Sequence, residues 1–292
     1  MRKITINLAA VAAFCIVVAS PALVSSSCAT PKTEQEDTTI IREDSGITAL
    51  KYSSPEVPAS IEFCGKTIDL SRFDRHERMD RELLAFTYMH STSLQMLKKA
   101  NRYFPIVEPI LKENGIPDDF KYLMVIESNM NPTARSSAGA AGLWQFMQGT
   151  GRDYGLEVNN NVDERYHIEK ATRAACRYLK DAYAKYKDWV AVAASYNAGQ
   201  ARIASQLAKQ DVDDSLDLQL VEETARYVYR ILAAKQLFNA PTTFGFRLRA
   251  SDLYPPIPYT EITVTKGIAD LARFARSKGI NLAILKLSLI HI

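Results

Sequence analysis

Surplus charge is what this 292-residue sequence most plainly lacks: 36 Lys and Arg stand against 33 Asp and Glu, a net charge of +3. A protein that neutralises many phosphates carries a basic face and a far larger excess, so a dedicated nucleic-acid binder is excluded. Cysteine is sparse too. Cys15, Cys28, Cys64 and Cys176 match no zinc spacing and no CxxC pair, which argues against a metal site and a disulfide framework. No repeat of 20 to 50 residues is visible. The one extended apolar stretch, about residues 8–24, is short and interrupted by Ser20 and Pro21, a poor membrane span. With 47% hydrophobic and 24% charged residues, wholesale disorder and a polytopic membrane protein are excluded.

What is present begins with a basic start, Arg2-Lys3, the short apolar stretch, and Ser25-Ser26-Ser27 before Cys28. That is the pattern of a secretory signal over residues 1–27, implying export to the periplasm. Cys28 is expected to become a lipidated N-terminus holding the protein at the outer membrane. Ser25 stands where a lipobox usually has Leu, and the alternative is plain cleavage nearby. Residues 28–75 read as a polar tether and lead-in.

From about residue 76 to 240 the period becomes helical, and a mainly α domain is expected. Leu83, Phe86, His90, Leu94 and Leu97 form one stripe, in which His90 reads as a packed residue. A second helix is expected to start near Pro105 and stop at Gly115, and a third follows Pro117-Asp118-Asp119. Residues 169–186 align Ala171, Ala174, Ala175, Tyr178, Leu179 and Ala182 on a small-residue face. Cys176 borders it as a buried thiol or, alternatively, one half of a Cys64–Cys176 bridge. Residues 189–194 are almost wholly apolar and should be central, and the last long helix covers about 221–238. Beyond Pro241, residues 241–292 suggest a small α+β piece, a strand at 260–264 and a helix near 268–275. The ending at 287–292 resembles translated adapter, and the natural C-terminus is expected to lie beyond it.

The chemistry concentrates between Glu127 and Thr150. Glu127 closes an apolar helical segment, where burial and the negative helix end both raise a carboxyl pKa and can make it a general acid. The residues alone leave open a merely solvated glutamate. Gly142 and its neighbour Leu143 let backbone approach a ligand, and Gln145 offers an amide beside Trp144, parts of a sugar site. Trp144 could equally pack in the core. Tyr196-Asn197 again place an aromatic and an amide at a helix end before Gly199, while Asp163-Glu164-Arg165 reads as a structural loop.

Four motifs in order, Glu127-Ser128 with Asn131-Pro132, Gly142-Leu143-Trp144-Gln145, Tyr196-Asn197-Ala198-Gly199, and Glu223-Thr224 before Tyr227, carry a resemblance over about residues 60–275. The sequence resembles the lytic transglycosylases of the soluble-transglycosylase, goose-lysozyme-like superfamily, and most of all the membrane-bound lytic murein transglycosylase D group. The resemblance implies a lysozyme-like helical domain acting on peptidoglycan strands, with Glu127 the sole catalytic acid/base. It implies Ser136 and Tyr227 as polar partners, and Gln145, Tyr196 and Asn197 as glycan contacts alongside Gly142 and Leu143. Met130 departs from the pattern, where an aromatic is common, and Tyr229 competes with Tyr227. No cofactor or metal is implied, and the only membrane contact expected is the lipid at Cys28. A monomer is expected, and the strand and helix after 260 resemble half of a degenerate LysM module. The rival functions are a hydrolytic goose-type lysozyme and a non-catalytic peptidoglycan-binding lipoprotein.

Overall fold

The computed structural model describes residues 4–7, 53–212, 214–259 and 261–289. Cys15 and Cys28 lie outside them, as does most of the signal segment; within it, Ile4–Asn7 forms strand β1. The described chain is mainly helical, as expected.

A hairpin precedes the helices. Strands β2 (Ser60–Phe63) and β3 (Lys66–Asp69) pair antiparallel with Phe63 opposite Lys66, leaving Cys64-Gly65 as the loop. Both loop residues have positive φ, 52° and 82°. This is the backbone that lets a two-residue turn follow the right-handed twist of its strands. Ile61, Phe63, Ile68 and Leu70 are buried, and Phe63 packs on Phe120 with ring centroids 5.9 Å apart. This part of the expected lead-in therefore belongs to the core.

Helix α1 (Phe73–Tyr88) and helix α2 (His90–Glu113) divide the stripe that reads as one helix. The break is at Met89, whose ψ of 51° is not helical. The apolar spacing continues in phase across it, so periodicity could not reveal the kink. His90, expected to be packed, is exposed, with its ring 5.9 Å from Tyr88 and 6.2 Å from Phe246. Nor does Pro105 start a helix: α2 runs through Pro105 and Pro109. Each proline removes an amide donor and crowds the carbonyl four residues back, at about 3 kcal/mol. Here Asn101, Pro105 and Pro109 share the exposed face, while Met96, Tyr103, Val107, Ile110 and Leu111 are buried and hold the helix in place.

Helix α3 (Phe120–Ser128) follows Asp119 as expected, but Asp119 makes no cap. Its carboxylate accepts from Cys64 N at 2.7 Å and Lys235 Nζ at 2.8 Å, tying the hairpin to a distant helix. Helices α4 (Gln148–Asp153), α5 (Ile168–Tyr186), α6 (Trp189–Ala198), α7 (Gln200–Gln210) and α8 (Glu222–Asn239) complete the domain. Residues 190–195 of α6 are all buried, which explains why that helix is apolar on every side. The alanines of α5 let α2 and α6 approach closely. Cys64 and Cys176 are free thiols, so the alternative bridge is not formed.

The core continues past residue 240 through buried Phe244 and Phe246. The segment beyond is strapped to α2, where Tyr254 N donates to Lys98 O at 3.0 Å and Arg102 Nε to Pro255 O at 3.0 Å. Strand β4 (Glu261–Val264), helix α9 (Leu271–Ser277) and helix α10 (Leu282–Ser288) follow. They gather Ile262, Val264, Ile268 and Phe274 around Ala275, Ile280 and Leu285 in a small cluster of their own. Strand β4 pairs antiparallel with β1, Ile4 opposite Val264.

Candidate active site

Helix α3 ends because Asn129 adopts the left-handed conformation (φ 49°, ψ 38°), a state asparagine tolerates better than most residues. Met130 follows at φ 58°, fully buried. The chain thus reverses directly after Glu127 and Ser128, leaving Glu127 half-buried in the last turn. Its Oε1 accepts a hydrogen bond from the Tyr227 hydroxyl of α8. Burial raises the Glu127 pKa from 4.5 to about 7; the Tyr227 hydrogen bond and the Arg230 charge oppose the rise, and the Glu223 charge adds to it. The helix C-terminus disfavours the anion as well. Burial and Glu127 in turn carry the Tyr227 phenol well above its ordinary value.

Arg230 is anchored from behind. Glu82 of α1, 1% exposed, holds Arg226 Nε at 2.5 Å and Arg230 Nε at 3.5 Å. No sequence signal relates these residues, which sit on helices far apart in the chain.

Glu127 opens into a cavity of about 540 Å³, where it is joined by Ser128, Asn129, Asn131, Thr133, Ala134, Arg135, Ser136 and Gln145. Glu127 is the only acid among them. Asn131 belongs to the first of the four motifs, whereas Asn129, Thr133 and Arg135 were given no role by the sequence, although they lie in the polar run directly after the acid. The loop 134–146 makes the other wall, closed by Ser136 N to Ala140 O at 2.9 Å and Gly142 N to Ala134 O at 2.9 Å. Ser136 is exposed, and its Oγ accepts from Ala140 N at 3.0 Å. Gln145, at φ 47°, donates from Nε2 to Gly142 O at 2.7 Å and Ala134 O at 3.2 Å.

Several residues expected to touch ligand are instead the framework of this loop. A Cβ on Gly142 would lie 1.9 Å from Arg165 O, so glycine is required there by a protein backbone. Leu143 and Trp144 are buried, the indole donating to Thr172 Oγ1 at 2.9 Å. An apolar residue in a Gly-rich turn reads alike whether it faces sugar or core. Arg165 pins the loop from below, donating to Gly139 O at 2.7 Å and Phe146 O at 2.9 Å while paired with Asp163 at 2.7 Å. The turn 163–165 is structural, as read.

Tyr196 and Asn197 do not line the cavity. The Tyr196 hydroxyl donates to Trp144 O at 2.8 Å, and burial with the nearby Glu127 charge pushes its phenol pKa up. Asn197 Oδ1 accepts from Thr224 Oγ1 at 2.8 Å. Both brace the end of α6 against its neighbours. Tyr227, and not Tyr229, reaches Glu127; the Tyr229 ring lies under the Arg78 guanidinium, 6.0 Å away. Among the described residues no group of three or more His, Cys, Asp or Glu is placed to hold a metal ion.

Residues 105–217, which include the acid and the loop facing it, match the family model Transglycosylase SLT domain. The chain is also similar to membrane-bound lytic murein transglycosylases. Membrane-bound lytic murein transglycosylase D of Escherichia coli is 28% identical over 215 residues, 72% of this chain and 46% of its own length. Membrane-bound lytic murein transglycosylase C of Haemophilus ducreyi is 29% identical over 150 residues, 46% of this chain and 40% of its own. The chain thus spans about half the length of the curated relatives it matches. Among solved structures, an inactive mutant of the lytic transglycosylase Slt of Pseudomonas aeruginosa covers 54% of this chain and 26% of its own at 20% identity, with a TM-score of 0.41.

Proposed function

We propose that the protein is a peptidoglycan lytic transglycosylase that cleaves the β-1,4 bond between N-acetylmuramic acid and N-acetylglucosamine with Glu127 as its single acid/base. The observation that carries this reading is the solitary carboxyl, with a pKa of about 7, in a cavity that no other acid lines. Glycosidases that work with two carboxylates set them about 5 Å apart for retention, or roughly 6.5–9.5 Å apart to admit water for inversion. Glu223, whose charge Glu127 feels, is exposed at the start of α8 and is not part of the lining.

One group near neutrality can serve in both directions. Protonated Glu127 gives its proton to the glycosidic oxygen as the bond to the muramic C1 breaks, assisted by the acetamido group of the same sugar. The resulting carboxylate, steadied by the Tyr227 hydroxyl, takes the proton of the muramic C6 hydroxyl as that oxygen closes on C1. The product is a 1,6-anhydro ring, and Glu127 is again protonated. Ser136 and Gln145 hold the wall against which the sugars lie.

Digesting purified peptidoglycan and weighing the fragments tests the proposal. Muropeptides lighter by one water than their reducing counterparts are expected; reducing ends would mark a hydrolytic lysozyme, and intact strands a binding protein. The relatives' names support a membrane-associated periplasmic location, and we place the anchor at a lipid on Cys28. Cys28→Ser should then move the protein from the membrane to the soluble fraction.

A further inference from the structure

A second cavity of about 230 Å³ adjoins the first, with Ser128, Asn129 and Asn131 as their common border. Its far wall is Thr92, Gln95 and Lys99 of α2, spaced i, i+3 and i+7 and hence on one helix face. Lys99 is half-buried. Burial and the neighbouring cation Arg102 both lower its pKa, with no carboxylate acting on it. Among the described residues Lys99 forms no ion pair, whereas Arg102 has the Pro255 carbonyl and the Tyr254 ring, 5.4 Å away. A partly desolvated ammonium beside another cation lacks the counter-charge that usually accompanies such a group. Around it stand hydroxyl and amide groups that suit a polar, anionic guest.

We propose that this smaller cavity is a subsite for a carboxylate carried on the glycan strand, with Lys99 as its ion partner and Gln95 and Asn131 bonding the polar groups beside it. The proposal rests on the peptidoglycan reading above and deepens it. Muramic acid residues freed of their stem peptides carry a lactyl carboxylate, while an N-acetylglucosamine polymer carries none. A neutral strand can occupy the large cavity but has nothing to give Lys99. Lys99 thereby sets specificity for an acidic glycan without entering the chemistry at Glu127.

Calorimetric titration of the folded full chain, made inactive by Glu127→Gln, provides the test. The two probes are a muramic-acid-containing tetrasaccharide with free lactyl carboxylates and the N-acetylglucosamine tetrasaccharide. Adding Lys99→Gln should weaken the acidic ligand about 10-fold or more, as expected for a lost charge-assisted hydrogen bond, and leave the neutral ligand unchanged. Lys99→Arg should restore most of the affinity. Equal weakening of both ligands, or of neither, would overturn the assignment of Lys99 alone. Failure of both tetrasaccharides to bind the protein that retains Lys99 would instead overturn the peptidoglycan reading, and this one with it.

Discussion

At the scale of single residues, the raised pKa of Glu127 has a consequence for stability as well as for rate. The folded state holds this proton up to about pH 7, whereas the ordinary value is 4.5. The stabilisation is therefore present below about pH 4.5 and is lost as pH rises through 7, a swing of up to about 3 kcal/mol. Glu127→Gln should flatten that decline and raise Tm at pH 8 relative to the parent, while lowering turnover by at least ~100-fold; Tm series at several pH values, with fragment release, check both. Tyr227→Phe removes a hydrogen bond that favours the anion, so the alkaline limb of the activity profile should move to higher pH. An unmoved limb would mean that Tyr227 does not govern the proton on Glu127. The position of Glu127 at the close of an apolar helix before a polar turn was legible in the sequence as a local pattern, while its burial against Tyr227 was left open by the residues alone. The roles of Gly142, Leu143 and Trp144 were not legible, since what a glycine or an indole faces depends on residues such as Arg165 and Thr172 that arrive from later in the chain.

Among the elements, α5 and α8 were readable because small or apolar residues recur at helical spacing over more than two turns, and α6 because its run 189–194 is almost wholly apolar. The hairpin was hidden by its brevity: Ile61, Phe63, Ile68 and Leu70 alternate for only two positions on each side of Cys64-Gly65. Pro105 misled because a proline signals a helix start only where its displaced carbonyl has no buried helix face to oppose it. The cavity-lining loop 134–146 depends on an element of three residues. Arg165 is 4% exposed and joins the 163–165 turn to Gly139 and Phe146, so Arg165→Ala leaves Asp163 and two carbonyls without their donor. A loss of ~3 kcal/mol is expected, in line with breaking a buried pair. Denaturant melts would show it, and KM should rise more than kcat falls, because the wall carrying Ser136 and Gln145 loosens while Glu127 stays in place.

Over the whole molecule, the folding unit is broader than its helical period suggested, reaching from Ile61 to Phe246 in one core. Cutting the chain after residue 240 removes Phe244 and Phe246, each worth roughly 1.5–3 kcal/mol of burial, along with the strap at Tyr254. Cutting after 259 removes only the separate cluster around Ala275. Limited proteolysis should accordingly yield a stable fragment that retains Phe246 and Tyr254, and a chain shortened to end at 240 should melt at a lower temperature. Cys176, enclosed beneath the alanine face of α5, offers a clock for that unit. Burial pushes its thiol up to about 11, and its Sγ lies 3.9 Å from the Ile110 carbonyl, so the nucleophilic thiolate forms only once α5 parts from α2. A thiol reagent should label Cys176 at the rate at which the domain opens, turning one buried sulfur into a direct measure of how long the folded domain persists.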